Sequence, residues 1–110
     1  FMLVETTKLI KNLLVYPENM KRNMNLYGGV VFSQRVLLTL VEKGINREEA
    51  YKIVQTNAHQ AWNTPGGNFQ KALESDPQVT EKLTPEEIQE CFNPDYQLRN
   101  LQKVYQRLDI

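Results

Sequence analysis

His59 is the only histidine and Cys91 the only cysteine in the 110 residues, so few side chains could move a proton or attack a carbon near neutral pH. A histidine acting as general base needs a partner, usually a carboxylate, to orient its ring. The helical neighbours of His59 are Gln55, Ala58, Trp62 and Asn63, none of them acidic. On a helical wheel it also lies about 120° from the centre of its helix's apolar stripe. These features predict a solvated or interface histidine. Cys91 sits in EEIQECF among acidic residues, unlike the electropositive setting of an activated thiol. One His and one Cys cannot by themselves supply the converging ligands of a metal centre.

A second candidate is LYGGVVFSQRVLLTLVEKG, Leu26 to Gly44, where two glycines precede a long apolar run. Free backbone N–H groups at a helix start can hold a phosphate. A phosphate loop of the GxxxxGK[ST] type, or a GxGxxG fingerprint after a strand, needs more than Gly28-Gly29 offers. The third glycine, the lysine and the strand are missing, so the pair reads as a joint between helices. Behind it, Val30, Val31, Phe32, Val36, Leu37, Leu38, Leu40 and Val41 cover most of the helix circumference, and Arg35, Thr39 and Glu42 form one polar strip. A helix of that kind is expected to be enclosed by others. Ser33 and Gln34 fall among the apolar residues and are expected to hydrogen-bond between helices.

Lys21-Arg22, with Lys8 and Lys11 upstream, make the densest basic patch, expected to be solvated surface. LVEKGINREEAYKIVQ has the outline of a helix-turn-helix. Its second helix, however, opens with Glu48 and Glu49, which a phosphate backbone would repel, and nucleic-acid binding is not expected.

The elements that would carry these residues are all helices. Apolar residues recur at three and four, and Pro, Gly or Asn marks each joint. The first helix is expected to run to about Tyr16, with Leu3, Ile10 and Leu14 on one side and Met2, Leu9 and Leu13 beside them. Pro17 opens a short helix, PENMKRNMN. A helix from Val30 to Lys43 closes at Gly44, which allows a left-handed backbone. Asn46 caps the next helix, with Glu49 in a variant of the capping box and Ala50, Tyr51, Val54, Ala58, Ala61 and Trp62 as its buried stripe. TPGGN is a turn. Asp76-Pro77, Thr84-Pro85 and Asn93-Pro94 each set a capping side chain before a proline suited to the first helical turn. The last of these helices should present Tyr96, Leu101, Val104, Tyr105 and Leu108. No strand is convincing, and the fold class is all-α.

Composition narrows the function classes. Thirteen Lys plus Arg balance thirteen Asp plus Glu, so no net field favours nucleic acid or an anionic membrane. No apolar run nears the ~20 residues of a membrane span. A lone cysteine suits a reducing compartment, and a cytoplasmic protein is the plain expectation. The opening FMLVETTKLIKNLLVY has no cap residue and no polar lead-in, which predicts that Phe1 lies inside a helix and that the chain is an excerpt.

Taken in order, NLLVYPENMKRNMN, GGVVFSQRVLLTLVEKG, REEAYKIVQTNAHQAW, SDPQVTEKLTPEEIQECFNPDYQLRN and the final VYQRL resemble the end of the bacterial-type adenylosuccinate lyase family, across essentially the whole chain. The match departs at Asn63–Asn68, NTPGGN, where the family usually carries a charged linker. The resemblance implies membership of the fumarase/aspartase superfamily. It also implies β-elimination of fumarate, from adenylosuccinate to give AMP and from the succinyl-carboxamide ribotide of purine synthesis to give its amide. Residues 1–16 would end a long helix of a central bundle, and residues 17–110 would form the C-terminal helical domain. In the family the acid and base are an upstream histidine and a serine on a loop of SSxMPxKxNP type. Nothing around His59 or elsewhere in the chain matches either. The resemblance therefore implies no catalytic, cofactor-binding or metal-binding residue here and no cofactor. It implies a homotetramer whose active sites draw on three subunits, with the small-molecule substrate held mainly by upstream domains. The contrasting expectation is a stand-alone helical interaction module.

Overall fold

The computed structural model describes residues 1–110, which form eight α-helices, two 3-10 turns and no strand. They are α1 Met2–Lys11, α2 Pro17–Met24, α3 Ser33–Glu42, α4 Arg47–Asn63, α5 Phe69–Ser75, α6 Pro77–Thr80, α7 Pro85–Cys91 and α8 Leu101–Arg107. The 3-10 turns cover Val30–Phe32 and Pro94–Leu98. The all-α expectation holds.

The core lies in the middle of the chain. Val36, Leu37 and Leu40 of α3 meet Ala50, Val54 and Ala61 of α4, with Phe69 and Leu73 of α5, Val79, Leu83, Ile88 and Cys91 closing around them. Each large side chain so buried contributes about 1.5–3 kcal/mol over leaving it in water. Aromatic rings extend the cluster: Phe92 meets Phe32 and Phe69 edge to face at 5.6 and 5.7 Å between centroids.

Local chemistry sets the boundaries. At the end of α3, Gly44 takes φ 94°. Its N–H donates to Val41 O and that of Ile45 to Leu40 O, the two bonds of a Schellman motif. Asn46 caps α4 through the Glu48 N–H at 2.9 Å. The Glu49 carboxylate makes no return bond, so this cap is one-sided. Asp76, Thr84 and Asn93 cap as their sequence predicts, and Thr84 with Glu87 completes a full capping box.

Three helical expectations need correction. The first helix stops at Lys11 instead of Tyr16. Pro17 disfavours helical geometry in the residue before it, and Tyr16 lies at φ −114°, ψ 82°. At the other end, the Phe1 carbonyl accepts the Glu5 N–H at 3.0 Å, the first bond of α1. The segment after the glycines begins as a 3-10 turn before becoming α-helical at Ser33. The stretch from Pro94 divides into a 3-10 turn and α8, because Asn100 separates them as the α8 N-cap.

Burial along α4 is also shifted. Tyr51 and Trp62 are 58% and 61% exposed, while Asn57 is buried between Val54 and Ala61. Its Nδ2 donates to Ile53 O at 2.9 Å and to the Asp76 carboxylate at 2.7 Å. Asp76 thereby caps α6 and satisfies a buried amide at once.

The ends differ from the middle. Neither α1, α2 nor α8 has a buried residue. The radius of gyration is 18.5 Å, against about 13 Å for a compact chain of this length.

Candidate functional site

The glycine joint is the tightest feature of the surface. Gly28 and Gly29 take φ 63° and 88°, the left-handed region that side chains avoid. A Cβ on Gly28 would stand 2.3 Å from Gly67 O, and one on Gly29 would press on the Phe92 ring at 3.0 Å. Gly67 is closer still, with Ala61 O 1.9 Å from where its Cβ would lie. The Phe69 N–H donates to Gly28 O at 2.8 Å and ties the two loops together. The N–H groups of Gly28 and Val30 are taken by Asn25 O and Tyr27 O. With two of its donors occupied and only a three-residue turn in place of an α-helix start, the joint does not form a phosphate cradle. The reading as a helix junction holds.

Above this joint Tyr27 stacks on Trp62, centroids 4.8 Å apart and planes 11° from parallel, both rings largely exposed. They border a shallow depression of about 400 Å³ with Leu26, Thr64, Pro65 and Gly66. A second depression, about 350 Å³, lies across Trp62 and is lined by His59, Val30, Ala58 and Asn63. No Asp, Glu, Lys, Arg or Cys lines either one, and His59 is the one imidazole.

The remaining candidates lie apart. His59 is exposed and makes no hydrogen bond, as its position on the helix flank predicts. Cys91 is buried, its Sγ 3.5 Å from the Thr39 hydroxyl. Lys21 and Arg22 are exposed, Lys21 lying 3.6 Å from Glu18. Gln34 is exposed and Ser33 half-buried, and neither forms the interhelical hydrogen bond expected of it. No three His, Cys, Asp or Glu side chains come together as a metal-binding group.

The polar strip of α3 is where the sequence misleads most. Thr39 is buried and donates to Arg35 O at 2.9 Å. Arg35 lies beneath the C-terminal segment, its Cζ 3.9 Å from the Tyr96 ring centroid. At the far end of α3, Lys43 pairs with Glu87. The hydrogen bond from Lys43, then that from the Thr84 N–H, holds the Glu87 carboxyl below its ordinary range. The capping signature at Thr84-x-x-Glu87 made half of that arrangement visible in the sequence; the contact with Lys43 had no local signal.

None of these groups forms a nucleophile–base pair or an oxyanion pocket. Comparisons with known proteins identify related chains. The sequence profile described as "Adenylosuccinate lyase C-terminus" matches residues 29–108. A Synechocystis sp. protein named adenylosuccinate lyase is 67% identical over all 110 residues, which make up 26% of its own length. Its namesakes from Streptococcus mutans and Bacillus subtilis are 44% and 43% identical over the whole chain, 25% of each. The chain thus spans about a quarter of the length of the curated relatives it matches. With the profile covering most of it and the five blocks in order, the chain belongs to the adenylosuccinate lyase C-terminal family.

Proposed function

We propose that this chain is the C-terminal part of an adenylosuccinate lyase, an enzyme that eliminates fumarate from adenylosuccinate to leave AMP and from the succinyl-carboxamide ribotide to leave its amide. The observation that carries this reading is unbroken similarity, 67% over all 110 residues, to a relative about four times as long. Elimination needs a base at the Cβ–H, an acid for the departing nitrogen and donors for the carbanion-like intermediate. The isolated His59, the buried Cys91 and the glycine joint form no such set, so the proposal assigns those groups to the upstream polypeptide. No cofactor enters the proposed reaction.

Within the parent, residues 1–16 would be the end of a long bundle helix and residues 17–110 would form a domain packed on that bundle and bordering the cleft. The largely exposed apolar side chains of α1 support this division. A homotetrameric, cytoplasmic enzyme is part of the same proposal. No helix is long and apolar enough to cross a membrane. Purified 110-residue chain mixed with adenylosuccinate should release no fumarate, while the longer polypeptide should. Turnover by the short chain would overturn the assignment of the chemistry to upstream residues.

A further inference from the structure

The C-terminal segment from Pro94 onward has little to hold it. Its 3-10 turn and α8 contain no buried residue. The packed helix pairs are α4–α5, α3–α4, α5–α6, α5–α7 and α3–α7, and α8 belongs to none of them. One side chain of α3 nevertheless reaches it. The Arg35 Cζ lies 3.9 Å from the Tyr96 ring centroid, and the Arg99 Cζ lies at the same distance from that ring. Arg99 also donates from Nη1 to Tyr96 O at 2.8 Å, fixing its guanidinium within the segment.

We infer that Arg35 is the positioning residue of the C-terminal segment, and that Arg35, Tyr96 and Arg99 form a cation–π latch tying residues 94–110 to α3. The Arg35 side chain is only 18% exposed, and its Nε is buried with no hydrogen-bond partner. Its nearest carboxylate, Glu42, stands at 4.0 Å and is well exposed, so it competes weakly with the ring. A planar guanidinium stacks on an aromatic face, whereas an ammonium does not. Arg99 acts inside the segment and Arg35 across to the core. The latch therefore sets where the apolar residues of α8, Leu101, Val104, Tyr105 and Leu108, are presented.

Trypsin can take Arg99 only after it leaves the ring, so cleavage there reports the open population. Cleavage at Arg22, in the exposed first arm, provides the reference rate. Each cation–π contact of exposed type shifts such an equilibrium by ~2–5-fold. Tyr96→Leu, which removes both contacts, should speed Arg99 cleavage about 5–30-fold, Arg35→Lys about 2–5-fold, and Tyr96→Phe, which keeps the ring, less than about twofold. The Arg35 Nε–H resonance should carry an upfield ring shift in wild type and Tyr96→Phe and lose it in Tyr96→Leu. Wild-type cleavage in Tyr96→Leu, or loosening in Tyr96→Phe equal to that in Tyr96→Leu, would overturn the latch. Tyr96 lies outside the core, so its variants decide the matter even if an Arg35 variant unfolds.

Discussion

The opening segment through Tyr27 and the middle of the chain are both rich in large apolar residues, yet their surroundings are opposite. Leu40, Phe69, Leu73 and Val79 are fully buried, while Phe1 is 97% exposed and Leu3, Leu9 and Leu14 are nearly as open. Helical patterning reports that a segment has an apolar face; it does not report whether the covering surface lies in the same chain. For α3 to α7 that surface is present. For α1 it is not, and a ten-residue helix without packing is marginal in water.

The largest contrast should come from truncating apolar side chains in each region. Phe69→Ala should cost about 3–5 kcal/mol in urea unfolding, since Phe69 fills the centre of the cluster. Leu9→Ala should change stability by no more than about 0.5 kcal/mol, and a larger loss would mean that α1 is packed in solution. Next come the glycines. Gly67→Ala should cost several times as much as Gly44→Ala, because a Cβ on Gly67 meets Ala61 O at 1.9 Å and one on Gly44 meets nothing within 4 Å. The Gly44 variant should lose only the ~1–2 kcal/mol of a left-handed backbone. Thr84→Ala removes the capping box of α7 and should cost about 1 kcal/mol by thermal melting.

The smallest effect is pH-dependent and confined to the middle. The Glu87 carboxyl is held below its ordinary range by Lys43 and the Thr84 N–H. Its contribution is therefore fully present above the unfolded-state carboxylate value and fades as pH falls through the lowered folded value. Glu87→Gln should flatten the acid limb of the stability curve slightly, and an unchanged limb would show that the Lys43 pair contributes nothing.

Much of the fold was legible because its signals are local. Proline after Asp76, Thr84 and Asn93 marked three helix starts, and Gly44 marked an end, each through backbone chemistry visible within a few residues. What escaped the sequence depends on distant contacts. Thr39 looked like part of a polar strip but lies beneath Cys91, and Trp62 looked like core but stacks outside on Tyr27. Asn57 broke an apolar stripe, and its partner, Asp76, lies nineteen residues further on. At the candidate site, the lack of a carboxylate near His59 and the incomplete glycine motif were both readable without coordinates.

The middle of the chain carries its own core, whereas the apolar side chains of α1 are uncovered within these 110 residues. Amide hydrogen exchange on the 110-residue chain at low micromolar concentration, repeated on the longer polypeptide, tests it directly. Leu40, Leu73 and Ile88 should be strongly protected in both, with Met2–Lys11 open in the short chain and protected in the long one. Strong protection of Met2–Lys11 in the monomeric short chain would contradict it.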